Sequence, residues 1–448
     1  MAIARENGLI FVTCILLAIL FAVFQVGRAY IVGQVYLASM TTQPGITYGQ
    51  GFDQRFAHLT NAQYRIQNEM GDYQGTSLTN ITFVGDASGS RWTGIADGQW
   101  IKVPTKGVIS LYPDGHFDHC AMPGLDFAIA GWWQHALVNK VRNHNWFIWI
   151  NTSDIYGDCQ NGRGTIYVPF ETLKTFWGVP TPAGVAVIDA SGNVSMIYDY
   201  GTLKNLPGPV YAESVAKSQQ ESLNTANGVS DWFFRNYGFE ETSGTGDPNA
   251  ENAGQYNLRA VNSTSQYYVT PLTALGDSRS LLGITVIENT TMTPGSLNPG
   301  LFIKYPRAIT GVRQLADTTK TVFKTWSWAS GLSVQEIIPG QGDTYFGYVG
   351  LPTVLNYKVT YHYDGTLTYV DVVPENHADG TVTYTDVAPT TATPVPTQMP
   401  QLLATPVPLT DGNQTCDSLW QQMQAASASK NLPQILNLTS QMVQINCR

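Results

Sequence analysis

The sequence predicts a mainly β protein with minor α: an N-terminal single transmembrane helix, a β-rich ectodomain and a C-terminal disulfide-linked helical hairpin. Three observations carry that expectation. An uncharged apolar run of 19 residues, Leu9 to Gly27, stands at the N-terminus. Short runs rich in Val, Ile, Tyr, Trp and Thr, punctuated by Gly, Asp and Asn, fill most of 80–205 and 256–388, the texture of strands joined by turns. Four cysteines lie outside the apolar run, an even number that suits disulfides in an oxidising compartment.

Composition narrows the function classes. Only 13% of the 448 residues are charged, about half the usual share for soluble domains. With 24 Lys and Arg against 33 Asp and Glu, the net charge is −9, so the chain lacks the basic surface that neutralises phosphates, and nucleic acid is not an expected partner. A hydrophobic share of 43% supplies ample material for a core.

Taken in order, residues 1–8 form a short cytoplasmic tail or leader and 9–40 the transmembrane anchor helix, because a hydrocarbon core needs about 20 apolar residues. A cleaved secretory signal has a shorter apolar region and a better small-residue site than VFQVGRAYIV. Arg5, Glu6 and Arg28 scarcely bias orientation, so the cysteines place the bulk of the chain outside the cytoplasm. The sequons at Asn80, Asn151, Asn193, Asn262, Asn289, Asn413 and Asn437 are compatible with that placement.

The first ectodomain part spans 45–239. Pro44 and its neighbouring glycines break the anchor helix, and Phe52, Phe56, Leu59, Ile66 and Met70 mark one face of an amphipathic helix. Strands follow, among them a hairpin around Ser191-Gly192-Asn193, and 210–237 reads as helical again. The polar stretch 240–255 is a loop or boundary. A second β-rich part, 256–387, ends in a repeat: HYDGTLTYVDV from His362 matches HADGTVTYTDV from His377 at eight of eleven positions. Each copy centres on Asp-Gly, a strong hairpin signal because type I′ turns need φ > 0.

Residues 388–412 are rich in Thr and Pro, a composition that favours an extended, semi-rigid stalk. Beyond it, 413–448 reads as an α-helical hairpin, with Leu419, Trp420 and Met423 on one helix and Ile435, Leu438, Met442 and Ile445 on the other. Asn431 and Pro433 sit at N-cap and early-helix positions of the second helix. Three cysteine pairings are possible. Sequence clustering favours Cys120 with Cys159 and Cys416 with Cys447, with free thiols as the alternative for the second pair.

Sites of chemistry are sparse. PDGHFDHC crowds His116, Asp118 and His119 beside Cys120, with His135 and His144 following. Imidazole and carboxylate form a transition-metal ligand set, so a metal ion held by His116, Asp118, His119 and His135 is one reading and a hydrogen-bonded hairpin tip is the other. H-x-D-H resembles half of the metallo-β-lactamase motif, but Asp114 stands where that pattern has a histidine. Asp247, Asn249 and Glu251 offer alternating oxygens as calcium loops do, and Asp154, Asp158 and Asn161 form a weaker version; a solvated loop is the competing reading. Nucleophile, zincin and P-loop signatures are missing, so no catalytic residue is assigned and no cofactor beyond a possible metal ion is expected. Trp132 and Trp133, and Trp146 and Trp149, are either a stacking platform for sugars or, in the alternating NWFIWI, a buried strand.

MAIARENG followed by LIFVTCILLAILFAVFQ resembles the N-terminus of a type IV prepilin or pseudopilin, with Gly8 at the cleavage position and Leu9 as the first mature residue. The resemblance covers about 25 residues. Thr13 stands where that family usually has Glu, and Pro44 comes early for a long pilin helix.

The function expected is therefore non-enzymatic: a membrane-anchored surface or envelope component, structural, adhesive or binding, engaging a protein partner, copies of itself or a polysaccharide. The alternatives are a pilin-like filament subunit, a metal-dependent hydrolase using the 116–144 histidines, and a carbohydrate-binding surface module.

Overall fold

The computed structural model describes residues 2–392 apart from 50, 87–88, 99–102, 243–244, 246–254, 277–279, 364–365, 377–381 and 387–389. A helix from Ala2 to Leu37 leads, 36 residues long, or about 54 Å at 1.5 Å per residue. Its apolar composition continues past the uncharged run, and Cys14–Leu37 is long and apolar enough to cross a membrane. The helix stops seven residues before Pro44, because the chain turns at Ala38–Ser39 and runs Met40–Pro44 as a strand parallel to Gly300–Thr310.

That strand edges a six-stranded sheet in which Gly300–Thr310, Ser280–Glu288, Gln266–Ala274 and Phe239–Glu241 follow in order, with Tyr256–Arg259 also pairing Gln266–Ala274. A second six-stranded sheet runs Ser333–Pro339, Thr344–Leu351, Val354–His362, Leu367–Asn376 and Val382–Asp386, each antiparallel to the next, with Thr390–Ala392 on Leu367–Asn376. The helix Val312–Val322 joins these two sheets in sequence, and one core, including Tyr256, Val269, Ile303, Ala316, Val334 and Tyr348, unites them.

A four-stranded meander, Thr76–Asp86, Gly89–Gly98, Gly107–Leu111 and Phe117–Ala121, packs with a five-stranded sheet. The latter runs Val194–Ile197, Val179–Asp189, Arg163–Lys174 and Ile148–Trp149, with Tyr156–Gln160 also on Arg163–Lys174. Their shared core holds Ile95, Val108, Ile166 and Val168 around the disulfide Cys120–Cys159.

The expected class, mainly β with minor α, is corrected. The chain is β-rich, but strand at 42% stands beside helix at 26%, which is too much helix to be called minor. Periodicity finds long helices and misses short ones: the stretches Leu137–Arg142 and Tyr200–Leu203 are too brief to repeat an apolar face. The helical hairpin at 413–448, with Cys416 and Cys447, lies outside the described residues, and no helical hairpin occurs among the described residues. The amphipathic helix after Pro44 is shorter than its apolar pattern implied. It spans Leu59–Asn68, because the His58 side chain accepts a hydrogen bond from the Asn61 N–H and so caps it, while Phe52 bridges to Ala260.

Candidate functional site

The N-terminal helix divides into two halves with opposite environments. From Ile15 to Phe24 its large side chains are exposed on every side, an arrangement that water penalises by about 25 cal/mol per Å² of apolar surface and that lipid does not. From Arg28 onward the same helix is held by the body. Arg28 Nε donates to the Trp177 carbonyl at 2.7 Å, Gln34 Nε2 to the Thr225 carbonyl at 2.9 Å, and the Tyr36 hydroxyl to the Pro180 carbonyl at 2.8 Å. Gly33 lets the backbones approach: a Cβ there would meet Thr225 Cγ2 at 2.8 Å. Tyr36 is 3% exposed and belongs to a core with Tyr156, Tyr211, Val215 and Ile287, which draws on both the Val179–Asp189 and Ser280–Glu288 sheets.

The histidines of the proposed metal site do not converge. His116 Nδ1 lies 2.6 Å from Asp114 Oδ1, and its ring stacks on Tyr112. His119 Nε2 lies 3.4 Å from Glu69 Oε2 with its ring on Tyr73. Asp118 accepts from the Tyr112 hydroxyl at 3.2 Å, and His135 Nδ1 pairs with the Asp126 carbonyl at 2.9 Å. Asp118 and His119 are consecutive on the strand Phe117–Ala121, so alternation turns them to opposite faces. Among the described residues no group of three or more His, Cys, Asp or Glu gathers to hold a metal ion. Asp247, Asn249 and Glu251 lie outside the described residues. Asp154 and Asp158 go separate ways, Asp154 to Ser214 and Asp158 to Arg91. Gly8 and Leu9 fall within the anchor helix.

Cys120 and Cys159 form the disulfide expected from their clustering, and Cys14, on the anchor helix, is free and exposed. The bridge ties the last strand of the meander to Tyr156–Gln160, and Arg91 reinforces the same junction. Its Nε lies 2.7 Å from Asp158 Oδ1 and its Nη2 2.8 Å from Asp86 Oδ2. Among the sequons, Asn289 is fully buried, with its Nδ2 donating to Asn257 Oδ1 at 2.9 Å, so it is closed to glycosylation in the folded chain.

Sequence reasoning missed Glu171 and grouped Asp154 with Asp158 and Asn161, whereas the structure pairs the buried carboxylates Asp154 and Glu171 at Ser214. The Ser214 hydroxyl sits 2.6 Å from Asp154 Oδ2 and 3.2 Å from Glu171 Oε1. Burial, then the neighbouring Asp154 charge, pushes the Glu171 carboxyl up to about 7, and burial raises Asp154 as well. Ser214 stands 60 residues from Asp154 and 43 from Glu171, so nothing in the linear pattern brings the three together. The reading of NWFIWI as a buried strand is also half corrected. Alternation is present, but Ile148 and Ile150 are the buried residues while Trp146, Phe147 and Trp149 face solvent; alternation shows that two faces differ and not which one is covered.

No protein-family model matches the chain, and no curated protein matches its sequence. The helix seat, the disulfide junction and the exposed aromatic residues therefore carry the functional argument.

Proposed function

We propose that this protein is a membrane-anchored, extracytoplasmic surface component whose role is structural or binding rather than catalytic. The observation that carries the reading is the continuity of one helix from the uncharged apolar run Leu9–Gly27, long enough for a bilayer, into a half locked to a β-rich body by Arg28, Gln34 and Tyr36. A disulfide in that body suits an oxidising compartment. Its partners are the membrane and, on the exposed body, a protein, a copy of the chain or a polysaccharide. Protease added to intact cells producing the full chain tests this: loss of the body from the cell surface supports the reading, and a chain protected until lysis refutes it.

The same observation favours a second reading, a pilin-like or pseudopilin-like subunit, because such subunits need an apolar helix continuous with the folded body. Mass spectrometry of the mature N-terminus separates the two. A chain beginning at Leu9 supports the filament reading, and an intact Met1 removes it. The hydrolase reading loses its motive, since His116, His119 and His135 each bind a separate partner.

A further inference from the structure

Exposed aromatic residues ring the point where the anchor helix reaches the body. Phe24 lies 5.9 Å from Trp177, centroid to centroid, and Tyr30 lies 5.5 Å from Trp232. Next to Trp177, Phe176 is 86% exposed, and next to Trp232 the Phe233 and Phe234 rings are also exposed. A third segment joins them. Ile148 pairs with Thr172, and Lys174 pairs with Val179, so Trp146 and Phe147 are carried to the end of the hairpin whose turn holds Phe176. Phe147 is 89% exposed.

Arg28 sets the level of this ring. It is the first charged residue after the uncharged Leu9–Gly27 run, and it grips the Trp177 carbonyl, so the turn beside it lies where the hydrocarbon ends and the headgroups begin. Aromatic rings partition to that layer.

We propose that the body rests directly on the bilayer, with Phe147, Phe176 and Phe234 and the tryptophans beside them inserted in the interfacial layer around the anchor helix. The inference rests on the membrane-anchored reading above. Lipid is favoured over a second copy as the occupant because the ring is continuous with a helix half whose exposed apolar side chains already require lipid.

The test is residue-resolved hydroxyl-radical footprinting of the full chain in phosphatidylcholine vesicles at one chain per vesicle, with each rate normalised to that of the chain unfolded in urea. The expected result is loss of oxidation at Phe147, Phe176 and Phe234 to the level of Phe21 in the anchor. If Phe21 is protected while the three rings oxidise as freely as in the unfolded chain, the body stands clear of the membrane and the inference is overturned while the anchor stands. Protection of the rings only when chains crowd a vesicle identifies a contact between copies and overturns it equally. Free oxidation of Phe21 itself would overturn the anchor reading.

Discussion

Arg28 Nε and the Trp177 carbonyl, 2.7 Å apart and 149 residues distant in sequence, fasten the N-terminal helix to the tip of the Arg163–Lys174 and Val179–Asp189 hairpin. With Tyr36 bonded to Pro180 two turns further on, the helix continues rigidly into the body instead of connecting to it by a linker. Whatever orients the helix orients the fold.

Gly33 is the most sensitive point in that seat. Gly33→Leu drives a side chain into Thr225, and overpacking of this kind costs about 1–3 kcal/mol. Hydrogen exchange of the backbone around residues 28–37 and 222–226 will accelerate in the variant, while exchange in the Ser333–Pro339 sheet will not change.

Removing the bridge with Cys120→Ala and Cys159→Ala together will lower stability by about 2–4 kcal/mol, since the bond closes a loop of intermediate length in the unfolded chain. Urea unfolding monitored by tryptophan fluorescence measures the loss. Thiol alkylation of the folded protein will spare Cys120 and Cys159 until a reductant is added.

Glu171 makes the fold weaker as pH rises. Its folded pKa, about 7, lies above the ordinary value of 4.5, so the folded state binds the proton more tightly than the unfolded state. The stabilisation from that proton is complete below about 4.5 and is lost as pH rises through about 7, a change of roughly 3 kcal/mol. Asp154 shifts in the same direction. Glu171→Gln mimics the protonated form, so its urea midpoint will match the native protein at pH 5 and exceed it at pH 8.

His58 works in the opposite sense. Burial lowers its pKa from 6.5 to about 3, and its neutral Nδ1 caps the Leu59–Asn68 helix. The unfolded chain therefore takes the proton first, and stability is lost as pH falls from 6.5 toward 3. His58→Asn keeps a capping oxygen and will flatten the acid limb, whereas His58→Ala will cost about 1 kcal/mol at neutral pH through the lost cap. Unfolding midpoints at pH 4.5 and 7.5 distinguish the two variants.

Much of this architecture is legible in the sequence where the signal is local. The apolar run marks the N-terminal helix, alternation and turn residues mark the strands, and the closeness of Cys120 to Cys159 marks the bridge. The rest depends on distant pairing. Nothing near Met40–Pro44 indicates that it will lie beside Gly300–Thr310, and nothing near Ser214 indicates that Asp154 and Glu171 will share its hydroxyl. Local density also misleads: His116, Asp118 and His119 crowd together in sequence because they belong to one hairpin, yet strand alternation and nearby partners such as Asp114 and Glu69 separate them in space.

Whether the exposed half of the helix lies in a bilayer decides the membrane-anchored reading. Alkaline carbonate extraction of membranes from cells producing the full chain measures this directly. The chain will stay in the membrane pellet, and Ile15→Lys combined with Leu20→Lys will release it; recovery of the native chain in the carbonate supernatant would show that the helix does not lie in a bilayer.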